Sequence, residues 1–280
     1  MTRGWLLVLC LVMTPLPLQA QPKVGIGLYA PEIRFTRPAE RYALIRGVAQ
    51  HLSKAISREV VGRAYKSAGD FRRDIRAGKL QLAIVGGGYA AKNAGLKLLA
   101  RARMRSRGDT TWSILARRKL GIAELKGKVL QVPRLGLSGQ KLVQNAVLAG
   151  AVKVARHFKL RYSPDLNSAI AAVKLGKAAA VVGPVSTAGL TPVIDGIQVP
   201  PPVLVVVASG LSSELVSKAR ASMLSYGGVV ASIVGWQPAR PGPYRALAAA
   251  ARGRTYELER VPAPATSVSM DKLVDRRGLK

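Results

Sequence analysis

Two short stretches carry residue types able to hold a negatively charged group. Arg134-Leu135-Gly136-Leu137-Ser138-Gly139 sets a guanidinium, two glycines and a hydroxyl directly ahead of a helical apolar pattern. The free N–H groups and partial positive charge of a helix N-terminus suit an oxyanion. Ser138 can act there as an N-cap or as a ligand donor, because both roles use the same geometry. Gly86-Gly87-Gly88-Tyr89 follows a buried-type apolar run. Three glycines let a guest approach the backbone, and Tyr89 can stack or donate. Tyr29, closing the apolar run 24–29, offers a similar ring and hydroxyl. The chemistry these groups suggest is reversible capture of an anion.

Residues for covalent or metal chemistry are sparse. His51 and His157 have no partner at metal-ligand spacing, and Cys10 falls in the N-terminal apolar run. No catalytic residue, no metal site and no cofactor is therefore expected. Gly25-Ile26-Gly27-Leu28-Tyr29-Ala30 matches a dinucleotide fingerprint in form only. No strand precedes it, and Pro31 stands where a helix should begin. Gly136-Leu137-Ser138-Gly139-Gln140 fails as a nucleophile elbow because its fifth residue is Gln. Arg101, Arg103, Arg105 and Arg107 alternate, so on a strand they share one face, either a solvated face or a stripe for acidic polymer.

The charge balance is lopsided: 44 Lys and Arg stand against 14 Asp and Glu, a net charge of +30. Such a field gathers anions without choosing among them, and a bias toward Arg in composition accounts for it equally well. Aromatic residues make up 5% and are not interleaved with the arginine runs, which argues against specific nucleic-acid reading. The N-terminus begins Met1-Thr2-Arg3-Gly4, continues as an apolar run over 5–18, and ends in Leu18-Gln19-Ala20. A basic start, a short apolar stretch and a small final residue spell a cleavable secretory signal and hence a periplasmic destination. Pro15 and Pro17 and the short length argue against a membrane span. No cysteine follows the signal, so the exported chain must be held by its core alone.

The elements that would position the anion-holding residues can be read from period and punctuation. Residues 24–29 read as a strand ended by Ala30-Pro31. A helix follows, with Thr36 as N-cap, Pro38 in its first turn and Tyr42, Ile45, Ala49 and Leu52 on one apolar face. Residues 59–65 read as a strand. Ser67 and Asp70 have capping-box spacing and open a helix through Phe71 and Ile75 to Gly78, after which 79–85 reads as a buried strand. The same order returns later: a helix opened within 165–168 passes through Ile170 and Val173 to Gly176, and 177–182 is a strand ending at Gly183-Pro184. A repeated helix, Gly-Lys, strand and glycine turn fits two similar α/β lobes. Between the copies, 97–105 and 110–117 read as a strand pair turning at 106–109. A helical turn at 122–125, a strand at 127–132, a helix from Ser138 to Leu148 and a strand at 156–162 follow. Later come a strand at 203–208, a helix at 212–226 and a short helix at 244–251.

In this order, four stretches resemble the phosphate/phosphonate-binding proteins of ABC transporters, within the type 2 periplasmic binding protein superfamily. They are 24–29 with the Tyr42 helix, 70–89, 112–139 with its Ile122-Ala123-Glu124-Leu125-Lys126-Gly127-Lys128-Val129, and 168–183. The resemblance covers 23–253. It implies an α/β protein of two lobes, each a mixed sheet flanked by helices. Residues 1–20 would be the signal, 21–112 the first part of lobe 1, 113–206 lobe 2, 207–253 the return to lobe 1 and 254–280 a tail. The two-segment hinge is expected at 111–115 and 203–207, with closure over a ligand in the cleft. The implied ligand set is Tyr29, Gly87, Gly88, Tyr89, Arg134, Gly136, Ser138, Gly139, Gly183 and Ser186. Two departures stand out. Relatives have a Ser- and Thr-rich loop where only Ser138 remains. Gly183-Pro184-Val185-Ser186 lacks the acid that relatives use to recognise an amine, which argues against aminoalkyl phosphonates. The expected protein is a non-enzymatic, monomeric solute-binding protein. It would capture phosphate, phosphonate or a related oxyanion for uptake or sensing, with an ABC permease of the inner membrane as partner. The competing expectation is a basic envelope protein that holds acidic polymer on the same scaffold.

Overall fold

The structure, a computed structural model, describes residues 23–253 and 260–261; the signal reading of 1–20 and most of the 254–280 tail lie outside the described residues. Short apolar runs become strands and the amphipathic stretches between them become covering helices. The first part of the chain gives β1 Val24–Tyr29, α1 Pro38–Ile56, β2 Val60–Ala64, α2 Ala68–Arg76, β3 Leu82–Val85, α3 Gly87–Lys92 and β4 Lys97–Met104. The middle gives β5 Thr111–Ala116, β6 Val129–Pro133, α4 Gly139–Lys141, α5 Val154–His157, β7 Lys159–Ser163, α6 Leu166–Lys174, β8 Ala180–Pro184, β9 Thr191–Pro192 and β10 Gly196–Gln198. The chain then adds β11 Val203–Val206, α7 Ser213–Ser225, β12 Ile233–Pro238, α8 Gly242–Ala251 and β13 Arg260–Val261.

Two mixed sheets result. One has the order β12-β4-β11-β3-β1-β2 and the other β13-β10-β5-β8-β6-β7, with β9 pairing on β5. The orders correspond position by position. β3 lies parallel to β1 and antiparallel to β11, and β8 lies parallel to β6 and antiparallel to β5. The weak internal repeat thus corresponds to a real structural one. α2–β3 and α6–β8 occupy equivalent places, and Gly78 (φ +68°) and Gly176 (φ +74°) both follow the helix in the left-handed conformation that glycine adopts without a Cβ clash.

The chain crosses between the lobes slightly ahead of the expected places. Residues 111–115 lie within β5 of the second sheet, and β11 belongs to the first, so the crossings are 105–110 and Val199 to Pro202. Accordingly β4 and β5 are not a hairpin. They belong to different sheets, because the four residues read as a turn, 106–109, form part of a connection between lobes. α1 buries Leu44, Ile45, Val48, Ala49, Leu52 and Ile56, whereas Tyr42 is 50% exposed. Each fully buried leucine of this stripe contributes roughly 2 kcal/mol of apolar burial. The N-cap position of α1 falls to Arg37, one residue after Thr36, and the Glu40 carboxylate accepts the Thr36 N–H at 2.8 Å. Ser67 caps α2 as expected, but Asp70 pairs with Arg73 rather than completing a capping box. The helix from Ser138 is regular only over α4 and continues over Leu142–Val147 in wider turns.

α8 ties the two halves together. It packs on α3 of the first lobe and on the wide turns of the second, and Tyr244 donates to the Pro201 carbonyl at 2.9 Å in the crossing segment. The arginine stripe of β4 is used locally: Arg103 donates to the Val234 carbonyl and Arg105 to the Ala231 carbonyl, so these guanidiniums brace the neighbouring β12 region. Among the described residues, no helix is long and apolar enough to cross a membrane.

Candidate anion-binding crevice

The C-terminal ends of parallel strands point the same way, so the loops that follow them gather at one edge of each sheet. β1 and β3 bring Tyr29 and the Gly86–Tyr89 turn to that edge in the first lobe. β6 and β7, parallel with Val132 opposite Tyr162, bring the 134–139 loop and Tyr162 to it in the second. Between these edges lies a crevice of about 570 Å³. The first lobe lines it with Tyr29, Lys66, Ser67, Arg72, Tyr89 and Lys92; the second lines it with Arg134, Gly136, Leu137, Gly139, Tyr162 and Pro164.

The floor is a buried cluster of aromatic rings. Tyr29 stacks on Phe71 at 5.4 Å and meets Tyr89 edge-on at 5.6 Å, while Tyr65 packs against the far side of Phe71 at 5.4 Å. Burial raises the pKa of both the Tyr29 and Tyr89 hydroxyls, so each stays a proton donor. For Tyr29 the nearby Glu32 and Tyr89 push the same way, and the Arg72 and Arg134 guanidiniums pull it back. The Tyr29 hydroxyl reaches the Arg134 carbonyl of the other lobe at 3.4 Å. Four cations, Lys66, Arg72, Lys92 and Arg134, therefore surround this floor. Among the described residues no carboxylate lines the crevice, and none pairs with any of the four. Uncompensated positive charge from four exposed cations, beside buried tyrosine rings, gives the crevice a field that favours an anion.

The glycine turn is occupied by the protein itself. A Cβ on Gly86 would collide with the Glu32 carboxylate, one on Gly87 with the Pro200 carbonyl and one on Gly88 with the Leu135 carbonyl. The Gly87 N–H already donates to Glu32 Oε1 at 2.7 Å. Gly136, at φ +90°, lies against the Tyr89 backbone, where a Cβ would come within 2.8 Å of Cα. These glycines thus allow the two lobes to meet backbone to backbone. Ser138 accepts the Lys141 N–H at 3.4 Å as the α4 cap and stands exposed beside the crevice. Gly183 lies within β8 with Leu166 packed over it. Ser186 donates to Asp109 at 2.7 Å in a separate hinge-side cavity of about 680 Å³. That second cavity carries Glu32, Glu40 and Asp109 against Arg34, Arg105 and Lys174, a balanced set.

Of the ten residues expected to bind ligand, Tyr29, Tyr89, Arg134, Gly136 and Gly139 thus line one crevice, and Ser138 borders it. Gly87 and Gly88 lie at the lobe contact, and Gly183 and Ser186 lie elsewhere. Sequence reasoning missed Lys66, Arg72, Lys92, Tyr162 and Glu32. No sequence signal marked Tyr162; the parallel pairing of β6 and β7 in the fold puts the end of β7 beside the 134–139 loop. Both histidines serve structure: His51 contacts the Ser222 carbonyl and His157 the Ile122 carbonyl, each at 2.8 Å.

Two topologically matched α/β lobes, crossed twice by the chain and facing each other across a cationic crevice, define a periplasmic-type binding-protein fold. The profile of the family described as ABC transporter, phosphonate, periplasmic substrate-binding protein matches residues 34–232. The chain belongs to that family. Solved structures agree on the fold. A binding-protein component of an ABC phosphonate transporter from Pseudomonas aeruginosa is similar with a TM-score of 0.64 at 16% identity, over 83% of this chain and 87% of that one. PhnD1 from Prochlorococcus marinus, in complex with methylphosphonate, gives 0.62 at 12% identity over 82% and 97%. A Xanthomonas citri protein bound to ATP gives 0.58 at 15% identity over 90% and 98%. No curated protein matches this sequence in direct comparison.

Proposed function

We propose that the protein captures a phosphonate, phosphate or related oxyanion between its lobes and presents it, closed, to an ABC permease of the inner membrane or to a sensor. The observation that carries this reading is the crevice of Tyr29, Tyr89, Lys66, Arg72, Lys92 and Arg134. It gathers four cations from both lobes around two buried first-lobe tyrosines, with no lining carboxylate among the described residues. Family membership and the methylphosphonate held by the Prochlorococcus marinus protein support the same class of guest. The basic, apolar and small-residue N-terminus supports export through a signal removed after about residue 20, consistent with the periplasmic family. We further infer that the chain acts as a monomer, without a catalytic step.

Isothermal calorimetry on the chain lacking residues 1–20, titrated with phosphate, methylphosphonate and sulfate, tests the reading. At least one phosphorus oxyanion is expected to bind. Arg134→Ala should weaken it about tenfold or more, the scale of a charge-assisted hydrogen bond. No heat with any of the three, or an Arg134→Ala variant that binds as well as the parent, rejects this site.

A further inference from the structure

The crevice is asymmetric in a way that a compact oxyanion leaves unexplained. Its charge lies mainly on the first-lobe wall, in Lys66, Arg72 and Lys92, while the second-lobe wall is apolar over Leu137, Tyr162 and Pro164. Tyr162 is the informative residue. Its side chain is 46% exposed, and it is the one exposed large apolar side chain that the described residues place in this crevice. It is also held in place. A Cβ on Gly139 would lie 2.7 Å from the Tyr162 ring and 2.8 Å from a Val132 methyl, so the ring rests on the glycine at the start of α4. A ring fixed on one side and open on the other is a preorganised stacking platform. It loses little side-chain freedom when a second flat group covers it. The volume of about 570 Å³ also leaves room for an organic body beside the anionic group.

We propose, resting on the oxyanion reading above, that the guest joins a phosphoryl or phosphonyl group to a planar aromatic body. The anion sits among Lys66, Arg72, Lys92 and Arg134, the ring lies on Tyr162, and one guest bridges both lobes. Because its flat end adds a second-lobe contact that a compact oxyanion lacks, such a guest favours the closed form more than a compact oxyanion does.

Calorimetry with methylphosphonate, cyclohexylphosphonate, phenylphosphonate and adenosine monophosphate separates the possibilities. Phenylphosphonate is expected to bind about tenfold tighter than methylphosphonate and tighter than its cyclohexyl counterpart, on the scale of one aromatic stack. Tyr162→Ala should bring the phenyl-to-methyl ratio near one, and Tyr162→Phe should preserve it. Tyr162 is partly exposed near the end of β7, and a ratio between two ligands does not depend on the folded fraction. Adenosine monophosphate binding tighter than phenylphosphonate identifies a nucleotide as the source of the shared chemistry; the reverse order identifies a simple aryl phosphonate. Equal phenyl and methyl affinities in the parent, or an unchanged ratio in Tyr162→Ala, overturns this inference while leaving the oxyanion reading intact. Silence with all four ligands overturns this inference, and silence with inorganic phosphate and sulfate as well overturns both.

Discussion

Glu32 shows how a single side chain records the pressure of its surroundings. Its carboxylate caps the Gly87 N–H through Oε1, while Oε2 is sealed from water without a partner. Burial dominates and raises its pKa from 4.5 to about 7, and the backbone N–H groups of Glu32 and Gly87 restrain the rise. The folded state therefore binds this proton more readily than the unfolded chain does. Stability is expected to fall as pH rises from about 4.5 through about 7 and then to level off. The full effect is about 3 kcal/mol as an upper bound, because the residue as a whole is only half-buried. Urea unfolding between about pH 5 and about pH 8 should show this decline in the parent and a flatter profile in Glu32→Gln. Parallel profiles for the two proteins would assign the raised proton affinity to another group.

At the scale of elements, α2 connects fold and site. Ser67 accepts N–H bonds from Gly69 at 3.1 Å and Asp70 at 3.4 Å, while Lys66 just before it and Arg72 within α2 line the crevice. Ser67→Ala should cost about 1 kcal/mol of stability, and Ser67→Thr should retain most of it. Thermal melting reads the difference; an unchanged midpoint in the alanine variant would mean that water caps this helix equally well. The aromatic face of α2 matters as much as its cap. Phe71, fully buried, holds Tyr29, Tyr65 and Tyr89 around it, so α2 fixes the floor as well as one charged wall.

Beside the packing of α8 and the close glycine contacts, a few polar contacts join the two lobes. The N-terminus of α6 reaches the β1–α1 loop: Leu166 N–H donates to the Pro31 carbonyl at 2.9 Å, and the Asn167 side chain donates to the Phe35 carbonyl at 2.7 Å. Arg41 and Asp165 add an ion pair at 3.9 Å, and the Tyr29 hydroxyl bond to the Arg134 carbonyl lies across the crevice. Each of these polar contacts is worth about 1 kcal/mol, so no one of them alone locks the lobes. Asn167→Ala should shift the equilibrium toward the open form by about fivefold. Small-angle scattering should then give a larger radius of gyration without ligand, with compaction restored by a saturating ligand. A ligand-free profile identical to the parent's would place the control of closure elsewhere.

Period, caps and glycine punctuation were enough to read β1, α2, β3, α6 and β8, and the matched pair of lobes followed from their repetition. These signals are local: an N-cap such as Ser67 or a left-handed glycine such as Gly78 acts within one turn of chain. Tyr29, Tyr89 and Arg134 were legible as candidate site residues because each lies at or just after the end of an apolar strand, Tyr89 and Arg134 beside glycines. The hinge positions, the separation of β4 from β5 and the fate of Gly87 depended instead on which sheet each strand joined. Lys66, Lys92 and Tyr162 look in sequence like ordinary surface residues. Only the parallel register of β6 with β7 and the approach of one lobe to the other bring them to a single crevice, because side chains far apart in sequence meet through packing that no local pattern encodes.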